Sequence, residues 1–215
     1  MNSIILSDEL RNKCIEWGKS FSDYGKSQKN FGDGSYIRTK DRLTRDAILG
    51  RVGEVGLGEI GKEHGVELKF NTSLRYGKRE GDNGQDIDGI IVKGVEHHLI
   101  PKVDVKTSQF NSGWLLVEKH RLEASIYVFM RANAEELRKV EFVGYALYKD
   151  FFNEDKPIFR YRRGDRLLHP IYLNREIGVP LSCVDQVGLP SPMLRKDNFW
   201  PLLIKLSIID SCSDF

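Results

Sequence analysis

The chain has 215 residues, enough for one domain with a full hydrophobic core. Charged residues make up 30% and the formal net charge is +2, so bulk charge makes no case for a nucleic-acid or membrane partner. Cys14, Cys183 and Cys212 are odd in number and far apart, which excludes a zinc spacing or a disulfide framework and fits a reducing compartment.

The opening residues turn acidic too soon for a secretory signal. The apolar run Trp200 to Ile209 is interrupted by Lys205 and is too short to span a bilayer. A soluble cytoplasmic protein with no membrane partner is the expectation.

In chain order, Ser7 can cap a first helix with Asp8 and Glu9 in its first turn. Leu10, Cys14, Trp17 and Phe21 recur at helical spacing, which describes a packing face. Residues 22 to 43 read as a polar loop whose basic side chains face solvent.

Thr44 to His64 has helical apolar spacing at Ile48, Val52, Val55 and Ile60, yet contains Gly50, Gly53, Gly56, Gly58 and Gly61. Each interior glycine costs a helix roughly 1 kcal/mol relative to alanine. So many imply close backbone approach to a sheet or a ligand. Glu54 lies within that small-residue surface, while Glu59 is expected to face solvent.

Val66 to Phe70 reads as a strand, and a charged loop containing Gly77, Gly81 and Gly84 follows it. Next comes Gln85-Asp86-Ile87-Asp88-Gly89-Ile90-Ile91-Val92, then Pro101-Lys102-Val103-Asp104-Val105-Lys106-Thr107-Ser108-Gln109. Both have short β-branched runs bounded by turn residues, the mark of strands. Lys93-Gly94-Val95-Glu96 suits a hairpin other than the tight two-residue kind. Residues two apart on a strand share a face. Asp104 and Lys106 therefore point one way, and Asp86 and Asp88 are expected to share a face with Ile87 opposite. His97 and His98 have no third ligand at a useful spacing and read as exposed.

Lys119 to Ala124 reads as a helical turn, as does Ala134 to Arg138. Ile126 to Met130 and Glu141 to Leu147 read as strands. Arg160, Arg162, Arg163 and Arg166 form the sharpest basic patch, with Tyr161 inside it, and such a patch can grip phosphates or merely stud an exposed edge. Residues 174 to 198 read as irregular. Trp200 to Ile209, with Asn198 as cap and Pro201 early, reads as a closing helix.

Oxygen ligands on strands suit Mg²⁺ or Mn²⁺. Beside them, a lysine can hold a water and offset charge building on a phosphorus. The order Glu54, Asp88, Asp104-Val105-Lys106 resembles the PD-(D/E)XK nuclease superfamily, over roughly residues 44 to 150. The resemblance implies an α/β fold: a central mixed β-sheet flanked by helices, a restriction-endonuclease-like core, with additions at residues 1–43 and 151–215, all one nuclease domain.

It also implies Asp88 and Asp104 as metal ligands, Glu54 as an accessory ligand, Lys106 as the water-positioning lysine and Gln109 as a further site residue. Ile87 stands where the name-giving motif has proline, which leaves Asp86 a rival for the aspartate role.

The function implied is a Mg²⁺-dependent DNA endonuclease of restriction, homing or phage type, leaving 5′-phosphates. A homodimer is compatible with the resemblance. A non-catalytic nucleic-acid-binding module of the same fold, or a nuclease for branched DNA, are the alternatives.

Overall fold

The computed structural model describes residues 2–23, 39–70, 85–118, 122–153, 156–157, 160–161 and 186–211. The fold is α/β with a mixed sheet and helices. Its helices are α1 (Asp8–Asp23), α2 (Lys40–Glu63) and α3 (Phe199–Ser211). Its strands are β1 (Ser3–Ile5), β2 (Val66–Phe70), β3 (Ile87–Val92), β4 (Val95–His98), β5 (Val103–Gln109), β6 (Trp114–Glu118), β7 (Ile126–Ala132) and β8 (Lys139–Leu147). Four short strands complete the set: β9 (Phe152–Asn153), β10 (Lys156–Pro157), β11 (Arg160–Tyr161) and β12 (Gln186–Pro190).

The central sheet runs β1-β8-β7-β5. β5 and β7 are parallel, whereas β8 is antiparallel to both its neighbours. One face carries Val103 and Val105 of β5 and Ile126, Val128 and Met130 of β7. It packs with Cys14 of α1 and Val52, Leu57 and Ile60 of α2 into one core. The other face carries Tyr127 and Phe129, which join Leu115 and Val117 of β6 and Leu189 of β12 in a second cluster. Phe199, Trp200 and Leu203 of α3 belong to the first core, so the C-terminal helix closes the same hydrophobic unit.

The glycines of α2 find their cause in packing. A Cβ on Gly53 would stand 1.8 Å from Thr107 Oγ1 of β5, and one on Gly56 2.5 Å from Val140 of β8. The helix backbone thus lies directly on the sheet, which sets the height of Glu54 above the β5 edge. At Gly50 an added Cβ meets nothing within 4 Å.

The two positions are therefore expected to respond oppositely. Gly50→Ala should stabilise by about 1 kcal/mol through helix propensity alone. Gly53→Ala should destabilise by roughly 1–3 kcal/mol, because steric overpacking outweighs that gain. Urea unfolding of the two variants against the parent checks the sign at each.

Several expectations are corrected. α2 starts at Lys40, earlier than Thr44, because the Thr39 hydroxyl caps it by accepting the Arg42 N–H. Val92 pairs with Val95, so the β3–β4 hairpin has a tight two-residue turn, with Lys93 at φ 51° and Gly94 at φ 78°. The hairpin partner of β3 is thus β4, and the run at 103–109 is a further strand.

Residues 134–136 form a turn rather than a helix. Asn133 Oδ1 there accepts the N–H groups of Glu135 and Glu136, and the loop joins two paired strands with no room for helical turns. Residues 186–190, expected to be irregular, form β12, because pairing with β6 supplies what their Gly and Pro content discourages. Residues 122–124 are not helical either.

Residues 24–38 and 71–84, expected as loops and including Gly77, Gly81 and Gly84, lie outside the described residues, as do residues 119–121. No helix among the described residues is long and apolar enough to cross a membrane.

Candidate functional site

The candidate site forms along one edge of β5. That strand ends the order β1-β8-β7-β5, so its outer edge is available to other chain segments. The residues just before β3 take that place. The Asp86 N–H donates to Val103 O at 2.9 Å, and the Asp86 Oδ2 accepts the Val105 N–H at 2.6 Å. The carboxylate is thereby fixed beside β5, and the Val103 carbonyl and Val105 N–H of that edge are satisfied.

Asp104 is 2% exposed. It is opposite Tyr127 in the β5–β7 register, on the face away from α2. Lys106, two residues on, lies on the same face with Nζ 2.6 Å from the Asp104 carboxylate. Its side chain is 41% exposed, so the ammonium spans from a buried acid to solvent. Glu54 belongs to α2, which packs on the other face of β5, and is paired at 2.6 Å with Arg51, both side chains less than one-fifth exposed.

The electrostatic result falls on Asp86. Burial pushes the Asp86 carboxyl up, and the charges of Asp104 and Glu54 push it further. Lys106 and the Val105 N–H pull it back in part, leaving it at about 9. In the metal-free protein Asp86 thus holds a proton at neutral pH.

Its folded value lies above the unfolded one of 3.8, so the stability it contributes is present below pH 4 and is lost as pH rises towards 9. The slope from this group has a ceiling of about 1.4 kcal/mol per pH unit. Asp86→Asn keeps an acceptor for the Val105 N–H but cannot ionise. It should flatten the fall and stabilise the metal-free protein at pH 8 by about 1–2 kcal/mol, read by urea unfolding in chelator.

Two expected site residues do not join. Asp88 is exposed. The β2–β3 register steps from Lys69↔Gly89 to Phe70↔Ile87, so Asp88 is passed over at a bulge. Its carbonyl accepts the Leu99 N–H at 3.4 Å, which ties it to the residues after β4 rather than to β5. Asp86, level with Val103 and Val105, takes the position expected of Asp88.

Gln109 ends β5, exposed and an odd number of residues from Lys106, hence on the opposite face. Of the basic patch, Arg160 lies in β11, while Arg162, Arg163 and Arg166 lie outside the described residues.

Arg51 is the residue that sequence reading passed over. Its signal was an arginine three positions before a glutamate on a helix.

The donor set fits a hard divalent cation in kind: carboxylate oxygens only, one of them kept protonated chiefly by burial. Among the described residues, no three His, Cys, Asp or Glu side chains are grouped closely enough to hold one ion between them. Mg²⁺ needs only one or two carboxylates, its remaining positions filled by water and substrate phosphate. Asp86 and Asp104 lie within electrostatic reach of each other. No protein family matches the chain, and no curated protein or solved structure matches it either.

Proposed function

We propose that the chain is a Mg²⁺-dependent endonuclease that hydrolyses DNA phosphodiester bonds and leaves 5′-phosphates, its ion held by Asp86 and Asp104. The observation that carries this is the meeting of two acids and a lysine on the edge of β5, with Glu54 of α2 within electrostatic reach of Asp86. The resemblance to the PD-(D/E)XK superfamily points the same way once Asp86 fills the aspartate role.

A bound divalent ion supplies charge to a phosphoryl oxygen and acidity to a water. To serve as a ligand Asp86 would have to give up its proton, so occupancy would rise with pH. Asp104, buried, fixes the Lys106 ammonium at a set height. Lys106, with its head at solvent, donates to the attacking water and later faces the charge on the phosphorus. Glu54 adds negative charge from the helix side. Mn²⁺ is expected to substitute for Mg²⁺.

A second reading has its own observation. Asp104 and Glu54 are each already paired with a cation, Lys106 and Arg51, and a non-catalytic DNA-binding module needs no more than such a closed set. The test is to incubate the full chain with supercoiled plasmid, linear duplex, a four-way junction and single strands, in Mg²⁺ or in chelator. Metal-dependent cutting of plasmid or linear duplex is expected. Cutting confined to the junction points instead to a structure-specific nuclease. Gel-shift binding with no cutting of any substrate overturns the proposal in favour of the second reading.

A further inference from the structure

On the face of the central sheet away from α2, the row of β5 side chains that starts with Asp104 and Lys106 continues with Ser108. Register sets Arg131 of β7 opposite Ser108, and Glu141 of β8 opposite Arg131. Val140 and Phe142 point into the core on the other side, so Lys139 shares the face of Glu141. Lys106, Arg131 and Lys139 thus stand on one surface, each from a different strand. Two of them lie by aromatic rings: Arg131 over Phe129 at 5.6 Å from its centroid, and Lys139 over Phe110 at 5.5 Å.

Arg131 is the odd member. Its side chain is only 18% exposed, yet the one carboxylate within reach among the described residues is Glu141, at 3.9 Å. Its Nη2 donates to the neutral Ser191 hydroxyl at 3.1 Å, and its Nε is buried with no partner among the described residues. Arg195 shows how an arginine that serves the fold is held in this chain: nearly half exposed, it grips both oxygens of Asp150 at 2.7 and 2.9 Å. A largely buried guanidinium is costly unless an anion answers it. It has five N–H donors, and the Ser191 bond uses one. Ring and hydroxyl set its direction in advance while most of its donors stay unspent.

We infer that Arg131, flanked by Lys139, seats a second backbone phosphate of the DNA strand whose scissile phosphate meets Lys106. The inference takes its ligand from the nuclease reading above and needs nothing from the metal. The planar fork of arginine suits phosphate oxygens. Ser108 and Arg131 are one residue pair beyond Lys106, about 7 Å along the strand, so one nucleic-acid strand laid along this face can meet both cations. Such a contact positions the strand and reads no base.

The test is binding of the full chain to DNA duplexes in chelator, by gel shift over a salt series, beside urea unfolding of each variant. Arg131→Gln should weaken binding about tenfold and flatten the slope of log affinity against log salt by about 0.9, the share of one phosphate contact, on unrelated sequences alike. Lys139→Gln, at an exposed position, should flatten it by a smaller amount. Glu141→Gln should tighten binding about threefold, because it removes the anion that competes for Arg131. Most of that gain should vanish in the Arg131→Gln background. Lys205→Gln, which removes an equal charge from an exposed position on α3, should leave the slope unchanged.

Unchanged affinity and slope in Arg131→Gln, with lowered stability, would make the arginine a structural partner of Glu141 and overturn the inference. Weaker binding in Glu141→Gln, or an equal loss in Lys205→Gln, would overturn it too. Should Arg131→Gln fail to fold, Lys139→Gln and Glu141→Gln decide. Tight calorimetric binding of inorganic phosphate that Arg131→Gln abolishes, with DNA binding untouched, means a site for the free ion and also overturns it. A parent chain that neither binds nor cuts DNA is a different result, which removes the nuclease reading and this inference with it.

Discussion

Replacing Lys106 with alanine is expected to lower the rate of Mg²⁺-dependent DNA cleavage by about 10³-fold, with much less effect on DNA affinity. The lysine has two tasks in the account, orienting the water and meeting charge that develops only in the transition state. Groups of that kind typically contribute 10²- to 10³-fold each when removed. Asp104→Asn should cost at least as much, since it removes a carboxylate oxygen of the proposed ion site and releases the ammonium it holds at 2.6 Å. Single-turnover cleavage and a gel shift, run on the same preparations, separate the two effects. Loss of binding in proportion to loss of rate would mean that Lys106 is only a phosphate contact.

The second large effect is a contrast between two aspartates of one short segment. Asp86→Asn should reduce cleavage about 10³-fold and divalent-ion affinity at least tenfold, while Asp88→Asn should leave both within about threefold. Asp86 is tied to Val103 and Val105 beside Asp104, whereas Asp88 is exposed at the β2–β3 bulge. Asp86→Asn should also stabilise the metal-free protein at pH 8 while disabling it. A merely structural acid would not do both, and loss of cleavage in Asp88→Asn alone would reverse the assignment.

The fold was legible where one physical signal dominated. β5, β7 and β8 follow from β-branched runs, and the glycines of α2 announced close approach to a sheet before the partner at Thr107 was visible. Asp104 and Lys106 share a face by the two-residue period of a strand, and they do so here. The choice between Asp86 and Asp88 was not legible, because spacing within a segment says nothing about its level against another strand. That level is set by the tight Lys93-Gly94 turn, the insertion of β4 and the bulge opposite Lys69 and Phe70.

Gln109 failed for a simpler reason: three residues along a strand is an odd step. Arg51 could be paired with Glu54 from the sequence, but the rings its guanidinium lies over, Trp17 and Phe70, come from two other elements. Such contacts belong to tertiary packing, as does the β6–β12 pairing that overrode the Gly and Pro signals near residue 188.

The most direct measurement is the position of Mn²⁺ in crystals soaked with it, read from its anomalous signal. The account predicts an ion with oxygens of both Asp86 and Asp104 at about 2.1–2.2 Å, and with Lys106 beside it rather than bound to it. An ion bound at Asp88, or none in contact with either Asp86 or Asp104, would contradict it.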